Sequence, residues 1–278
     1  MSSPSLRAVA VSGRGLVDPG APVLTADDEG FTRGRAAFET MRVYGGRPFR
    51  LEQHLTRLAT SAERIGLEAP DPGEVESLAA MALEHAGLSD AVLRLYWTPG
   101  SPGGEHRAIA LVSTIPEWIE EARGRGQRLV SLVHQRRSAS WLLPATKSTS
   151  YAVSMAAEAE AKSRGADDAL FVDADGIVLE GPVTNIWWRE ADVLLTPALE
   201  VGILAGETRA ALLELTAAEG RRVEQGVYPL ARLLGADEVF TSSSVRELMP
   251  VVGIDGHAFE IGLAAVALQE SLRRAALG

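Results

Sequence analysis

The stretch Trp141-Leu142-Leu143-Pro144-Ala145-Thr146-Lys147-Ser148-Thr149-Ser150-Tyr151 carries one of only two lysines in a chain with 27 Lys and Arg residues. Arginine stays charged at neutral pH and cannot act as a nucleophile. A desolvated lysine amine can lose its proton and form a Schiff base with a carbonyl. The other lysine, Lys162, sits in the alanine-rich run from Ala156, which reads as a solvated helix. Lys147 instead has apolar residues before it and small hydroxyl residues after it. Taken alone, the motif also describes an ordinary surface or salt-bridged lysine, so the rest of the chain has to decide.

Downstream, Tyr151 to Arg164 reads as a helix ended by Gly165. Residues 169–172 and 178–180 read as strands joined by the tight turn Asp173-Ala174-Asp175-Gly176. Residues 185–188 and 193–196 make a further pair. Gly202-Ile203-Leu204-Ala205-Gly206-Glu207-Thr208-Arg209 then leads into a helix ending near Glu219. A glycine-containing loop entering a helix exposes unpaired N–H groups and the positive end of the dipole, which suits a phosphate; it also describes an ordinary helix entry. Val239 to Val245 is a strand running into the hydroxyl-rich turn at Thr241-Ser242-Ser243-Ser244, which either binds an anion or caps the next segment.

Upstream, residues 6–17 and 22–25 carry short β-like runs. Phe38, Thr40 and Arg42 alternate with Glu39, Met41 and Val43, a strand pattern, and Gly45-Gly46 signals a hairpin whose return strand begins at Arg47-Pro48-Phe49. Leu51 to Ile65 is an amphipathic helix stopped by Gly66, and His54 and Arg57, one turn apart, read in isolation as surface residues. A second helix spans 72–87, and strands follow at 91–97 and 108–113. Residues 1–116 thus make a small α+β domain. The polar Gly- and Arg-rich segment 117–126 reads as a linker, and 127–278 as a larger second domain. Arg128 to His134 reads as its first strand.

The chain has 278 residues, 46% of them hydrophobic, enough for two domains. Its formal charge of -10 argues against a nucleic-acid footprint. It has no cysteine, which excludes disulfides and thiolate chemistry. No apolar run approaches the ~18–20 residues that span a bilayer, and the N-terminus lacks the apolar core of a secretion signal. The expected compartment is the cytoplasm.

These pieces converge. Lys147 and Glu180 are 33 residues apart, each at the end of a strand-like segment, and anion-ready elements follow at 206–208 and 241–244. Arg57 adds a basic group from the first domain. An amine, a carboxylate and several anion donors are what pyridoxal 5'-phosphate requires: an aldehyde partner, a counter-charge for the pyridine nitrogen, and a phosphate grip.

The sequence resembles the fold-type IV pyridoxal-phosphate enzymes, the class IV aminotransferases: branched-chain and D-amino-acid aminotransferases, (R)-amine transaminases and 4-amino-4-deoxychorismate lyases. The resemblance rests on Phe38-Glu39-Thr40-Met41-Arg42-Val43-Tyr44, Glu52 to Leu58, Lys147 with Tyr151, Glu180-Gly181 with Asn185-Ile186, Gly202 to Arg209, and Asp237 to Val251. It implies an α+β protein with an N-terminal α/β sandwich, a C-terminal β-barrel-like domain with helices, and the cofactor in the cleft between them. By the resemblance Lys147 is the Schiff-base lysine and proton shuttle, and Glu180 pairs with the pyridine nitrogen. Arg57, Thr208, Ser244 and the backbone of Glu207 hold the phosphate, Tyr151 neighbours the ring's phenolic oxygen, and Phe38 and Thr40 line the substrate side. It also implies a homodimer with the partner's small domain closing the pocket.

This chain departs from the family in places. Gly34-Arg35-Ala36 stands where Gly-Asp-Gly is usual, Pro182 where a small hydroxyl residue is common, and Glu207 where an apolar residue is usual. Pro99 stands where D-amino-acid enzymes of the best-known type carry a carboxylate-binding arginine. Arg33 is the first candidate to replace it, with Arg35 and Arg107 behind it, against the alternative that all three are surface charges. The expected reaction is transfer of an amino group from a D-amino acid or (R)-amine to a 2-oxo acid. The runner-up is cleavage of aminodeoxychorismate to 4-aminobenzoate and pyruvate. A branched-chain L-amino-acid aminotransferase and a non-catalytic cofactor binder stand further back. No nucleic acid, membrane or metal is expected.

Overall fold

The computed structural model describes residues 4–134 and 146–278, so Trp141 to Ala145 lie outside the described residues. The chain falls into two compact units, Met1–Glu117 with Thr146–Tyr151, and Trp118–Ala145 with Ala152–Gly278.

The first unit runs β1 (Leu6–Val11), β2 (Gly15–Val17), α1 (Glu29–Thr32), β3 (Ala37–Tyr44), β4 (Arg47–Pro48), α2 (Leu51–Arg64), α3 (Pro72–Ala86), β5 (Ala91–Thr98) and β6 (Arg107–Ser113). Its strands form one six-stranded antiparallel sheet, β2-β1-β6-β5-β3-β4. The alternation read from the sequence is what builds it. Ala37, Met41 and Val43 join Leu55, Leu58 and Val75 in the main core under α2 and α3. The other face carries Phe38, Thr40 and Arg42, in register with Tyr96, Arg94 and Val92 of β5. Asp71 caps α3 by accepting from the Glu74 N–H, with Pro72 in the first turn and Gly87 left-handed at the end. Residues 22–25 form no strand.

Thr146–Tyr151, expected within the second domain, belongs to this first unit. The cause is backbone pairing: the Phe38 N–H donates to the Lys147 carbonyl (3.1 Å) and the Thr149 N–H to Ala36 O (2.9 Å). Ala37 and Ser148 form an antiparallel bridge. Gly34, with φ +66°, permits the approach, because a Cβ there would lie 3.1 Å from Ser150 Cα.

The second unit runs α4 (Trp118–Arg125), β7 (Gln127–Val133), α5 (Ala152–Ser163), β8 (Asp168–Val172), β9 (Asn185–Glu190), β10 (Val193–Pro197), α6 (Glu207–Ala218), β11 (Arg222–Gly226), α7 (Leu230–Leu234), β12 (Glu238–Ser243), β13 (Glu247–Ile254), β14 (His257–Ala258) and α8 (Leu263–Leu277). Its eight-stranded sheet has the order β11-β10-β9-β12-β13-β7-β8, with β14 on β13. The parallel pairs β7–β8 and β10–β11 are bridged in sequence by α5 and α6, as parallel connections demand. β9 is buried on both faces. Ile186 and Trp188 enter the main core, while Trp187 stacks on Phe240 at 6.2 Å between ring centroids. Residues 177–180 pair with β8 through the isolated Val172–Val178 bridge and the bonds Phe171 N–H to Glu180 O and Leu179 N–H to Phe171 O, short of a full strand.

The expected linker at 117–126 is mostly α4. Ile119 and Ala122, spaced three apart, are 1% and 4% exposed. Arg123 donates to Leu248 O (3.1 Å), Arg246 O (2.8 Å) and the buried Glu247 carboxylate (2.9 Å). Arg123, one of the arginines that made the segment read as solvated, is a partner for two carbonyls and a buried acid. Truncating Ile119 to Ala therefore costs about 2–4 kcal/mol by urea unfolding. In a solvated linker the same change would stay within roughly 0.5 kcal/mol, and a value that small would contradict this packing.

Candidate active site

The pairing on β3 brings Lys147 beside the sheet face that carries Phe38. Its Nζ lies 4.3 Å from the Phe38 ring centroid and 5.9 Å from that of Tyr151. Phe38 stacks on Tyr96 (5.7 Å) and meets Tyr151 edge-on (5.2 Å). The Lys147 N–H is held by Ser61 Oγ of α2 at 3.2 Å. The lysine is thus fixed by main-chain bonds at its base and flanked by two aromatic rings, which brings Lys147, Phe38 and Tyr151 together. Thr40 follows Phe38 on the same face, half-buried, opposite Arg94.

Arg57 and His54, which read in isolation as surface residues, face inwards. His54 is 1% exposed. The reason lies on β3, where Glu39 is fully buried on the apolar side with Met41 and Val43. Arg57 donates to it through Nε (2.7 Å, Oε1) and Nη2 (2.7 Å, Oε2), and His54 Nδ1 lies 2.6 Å from Oε2. Burial alone would raise the Glu39 carboxyl, but the Arg57 charge and the hydrogen bonds from Arg57 and His54 outweigh it and hold it down at about 2. A strand acid sharing a face with Met41 and Val43 needs a buried partner, and that is the signal that finds this trio.

In the second unit Glu180 is 6% exposed. Its Oε2 accepts from the Leu204 N–H (3.0 Å) and from Asn185 Nδ2 (3.3 Å), and Asn185 also donates to Leu204 O (3.0 Å). The carboxylate is thereby tied to the loop that enters α6. Gly206 is required there, because any Cβ would collide with Asn185 Oδ1. Gly206 caps α6 without a side-chain cap hydrogen bond, at the helix end where the backbone N–H groups of the first turn have no partner within the helix. Thr208 is 4% exposed.

Arg209, to which the sequence assigned no role, is 3% exposed and donates to Pro197 O (2.9 Å) and Gln225 Oε1 (2.7 Å). Burial pushes its guanidinium below the usual value, partly offset by the Glu180 charge. In the hydroxyl cluster, Thr241 Oγ1 accepts from Gln127, Ser242 Oγ from Trp187 Nε1, and Ser243 Oγ from the Arg246 N–H. These three hold the turn, with Ser244 half-buried at its tip.

The three arginines considered for a substrate carboxylate sit in different settings. The Arg33 side chain is 74% exposed, with Nε 3.8 Å from Glu29. Arg35 is a strut from α1 to the end of α2, bonding Glu29 (2.6 Å), Ile65 O (3.1 Å) and Gly66 O (2.6 Å), which explains its place in the altered glycine motif. Arg107 donates to Val23 O at 3.2 Å. The sheet face beside Lys147 instead presents Arg42, 8% exposed, and Arg94, which donates to Ser113 Oγ (3.2 Å). Both follow the Phe38–Thr40 alternation.

The residues present suit pyridoxal phosphate: an aromatic-flanked amine, a carboxylate oriented by two N–H donors, and a helix start with no side-chain cap. The family model described as Amino-transferase class IV matches residues 36–254. The chain is 34% identical over 257 residues to the bifunctional aminodeoxychorismate lyase / D-amino acid transaminase of Mycobacterium tuberculosis, covering 87% of this chain and 89% of that protein. It is 32% identical to a putative branched-chain-amino-acid aminotransferase of Methanocaldococcus jannaschii, over 82% of each. Among solved structures it is similar to a hypothetical aminotransferase from Mycobacterium tuberculosis in its alpha-ketoglutarate- and PMP-bound form. That match has a TM-score of 0.91 and 32% identity, covering 97% of this chain and 98% of the other.

Glu39 also sets an acid-stability test. Its folded value of about 2 lies below the ordinary 4.5, so its contribution is complete above pH 4.5 and is lost as pH falls from there towards 2. That contribution is about 3 kcal/mol. Urea unfolding between pH 5 and 3 should therefore show a steeper loss of stability in the wild type than in Glu39→Gln. Parallel slopes would mean the trio is not charged as described.

Proposed function

The chain belongs to the class IV amino-transferases, and from that premise we propose that it uses pyridoxal 5'-phosphate to move an amino group from a D-amino acid or (R)-amine to a 2-oxo acid. The observation that carries this reading is the match along 87% of the chain to a relative named for D-amino-acid transamination. The same relative's name favours a second reading, aminodeoxychorismate cleavage to 4-aminobenzoate and pyruvate.

When bound, pyridoxal phosphate supplies an aldehyde for amines and a cationic ring that withdraws electrons from the bond to be broken. The chain's own residues do the rest. Lys147 Nζ would take the proton from the substrate carbon and deliver it in a 1,3-transfer to the carbon on the far side of the amine nitrogen, with the Phe38 and Tyr151 rings holding the lysine in place. Glu180, oriented by the Leu204 N–H and Asn185, keeps the ring nitrogen protonated. Arg57, Thr208, Ser244 and the Glu207 N–H hold the phosphate, where a guanidinium offers parallel hydrogen bonds and a helix start offers N–H groups and dipole.

For the substrate carboxylate the geometry favours Arg42 and Arg94 over Arg33. They stand on the Phe38–Thr40 face, where successive side chains on one strand are about 7 Å apart: Arg94, opposite Thr40, lies one step from Phe38 and within a guanidinium's reach of a substrate held at Lys147, and Arg42 lies one step further along. We also read the protein as a homodimer, consistent with exposed apolar side chains such as Phe31 (71%) and Leu263 (83%). Light scattering on the purified protein tests that directly. Among the described residues no helix is long and apolar enough to cross a membrane.

With D-alanine and 2-oxoglutarate the enzyme should release pyruvate, and Lys147→Ala should lower the rate by about 100- to 10,000-fold. Release of 4-aminobenzoate from aminodeoxychorismate without any keto acid, and no pyruvate from D-alanine, would favour the second reading. Arg94→Ala should raise KM for D-alanine about tenfold or more; the same rise in Arg33→Ala alone would return the role to Arg33.

A further inference from the structure

We propose that Glu39 is a positioning residue for the cofactor phosphate, turning the Arg57 fork so that its outer edge faces the anion. This rests on the phosphate reading of Arg57 given above. The geometry is specific. Glu39 takes Nε and Nη2, one in-plane edge of the guanidinium, with both carboxylate oxygens. In a planar fork this directs Nη1 away from the acid. Held by a side-on bidentate pair, the guanidinium loses rotation about its terminal bonds, so the ordering needed to grip an oxyanion is made before the ligand arrives.

Glu39 is well placed to do this reliably. It is buried completely, so water does not loosen the pair. His54, one turn before Arg57 on α2, approaches the same Oε2 at 2.6 Å and fixes the carboxyl plane. Its low value of about 2 keeps it charged throughout the working pH range. A neutral apolar residue at 39 would suit the core face of β3 better, since Ala37, Met41 and Val43 on that face all lie in it. Burying a charge there costs several kcal/mol unless it is paired, and the pairing is spent on one residue, Arg57, together with the histidine that braces it.

The test compares two probes, pyridoxal 5'-phosphate and pyridoxal, which share the aldehyde and ring and differ only in the phosphate. Binding to cofactor-stripped protein is followed by the absorbance of the Lys147 adduct. Arg57→Ala, measured first, should weaken pyridoxal phosphate and leave pyridoxal within about twofold. Glu39→Gln should do the same, with a loss of about tenfold to a hundredfold confined to the phosphorylated probe. Glu39→Asp keeps the charge with a shorter reach; it should lose less and serves if the Gln variant does not fold. Combining Glu39→Gln with Arg57→Ala should add nothing to the loss of phosphate selectivity. Equal weakening of both probes in the Glu39 variants would reduce Glu39 to a structural acid and overturn the proposal, as would no weakening of either. If Arg57→Ala itself left the ratio of the two affinities unchanged, the phosphate reading of Arg57 would fall and this proposal with it.

Discussion

The placement of Lys147 depends on a short antiparallel pairing. The Lys147 segment lies along the beginning of β3, joined by the bonds from Phe38 and Thr149 and by the Ala37–Ser148 bridge. Main-chain hydrogen bonds have one register, and a slip of one residue would turn the lysine to the opposite face. The pairing therefore decides that the amine emerges between Phe38 and Tyr151. Gly34, left-handed against Ser150, is the backbone concession that lets the segment approach.

The first unit uses the two faces of β3 for different purposes. One side is core, built from Met41 and Val43 under α2, and into it the chain inserts a single acid. Glu39 survives there because Arg57 and His54 satisfy both of its oxygens. The other side, with Phe38, Thr40, Arg42 and Arg94, is aromatic and cationic. In the second unit the same economy recurs on a smaller scale. Asn185 joins Glu180 to the Leu204 carbonyl and sits against the bare Cα of Gly206, so the acid and the start of α6 are set by one amide.

Much of this was legible in the chain. The 38–44 alternation, the Leu51–Ile65 stripe with its Gly66 stop, and the glycine loop before α6 each correspond to an element in the expected place. They are local patterns, and local geometry reproduces them. The reading failed where residues were judged by polarity alone. His54 and Arg57 looked solvated because a helix pattern does not reveal a buried acid on a neighbouring strand. The segment 117–126 looked like a linker because Arg123 carries a charge, although its partners are carbonyls and Glu247 in β13.

The sequence by itself determined the chemistry on offer: one lysine in unusual company, an acid 33 residues later, a helix start fit for an anion, and the family pattern that joins them. Only the tertiary structure decided which unit owns the lysine, which acid braces Arg57, and which arginines share a face with Phe38. The physical reason is that periodicity is set by neighbours three or four positions away. The Lys147–Ser61 bond, by contrast, joins residues 86 positions apart, and its existence depends on the register of backbone pairing across the whole unit.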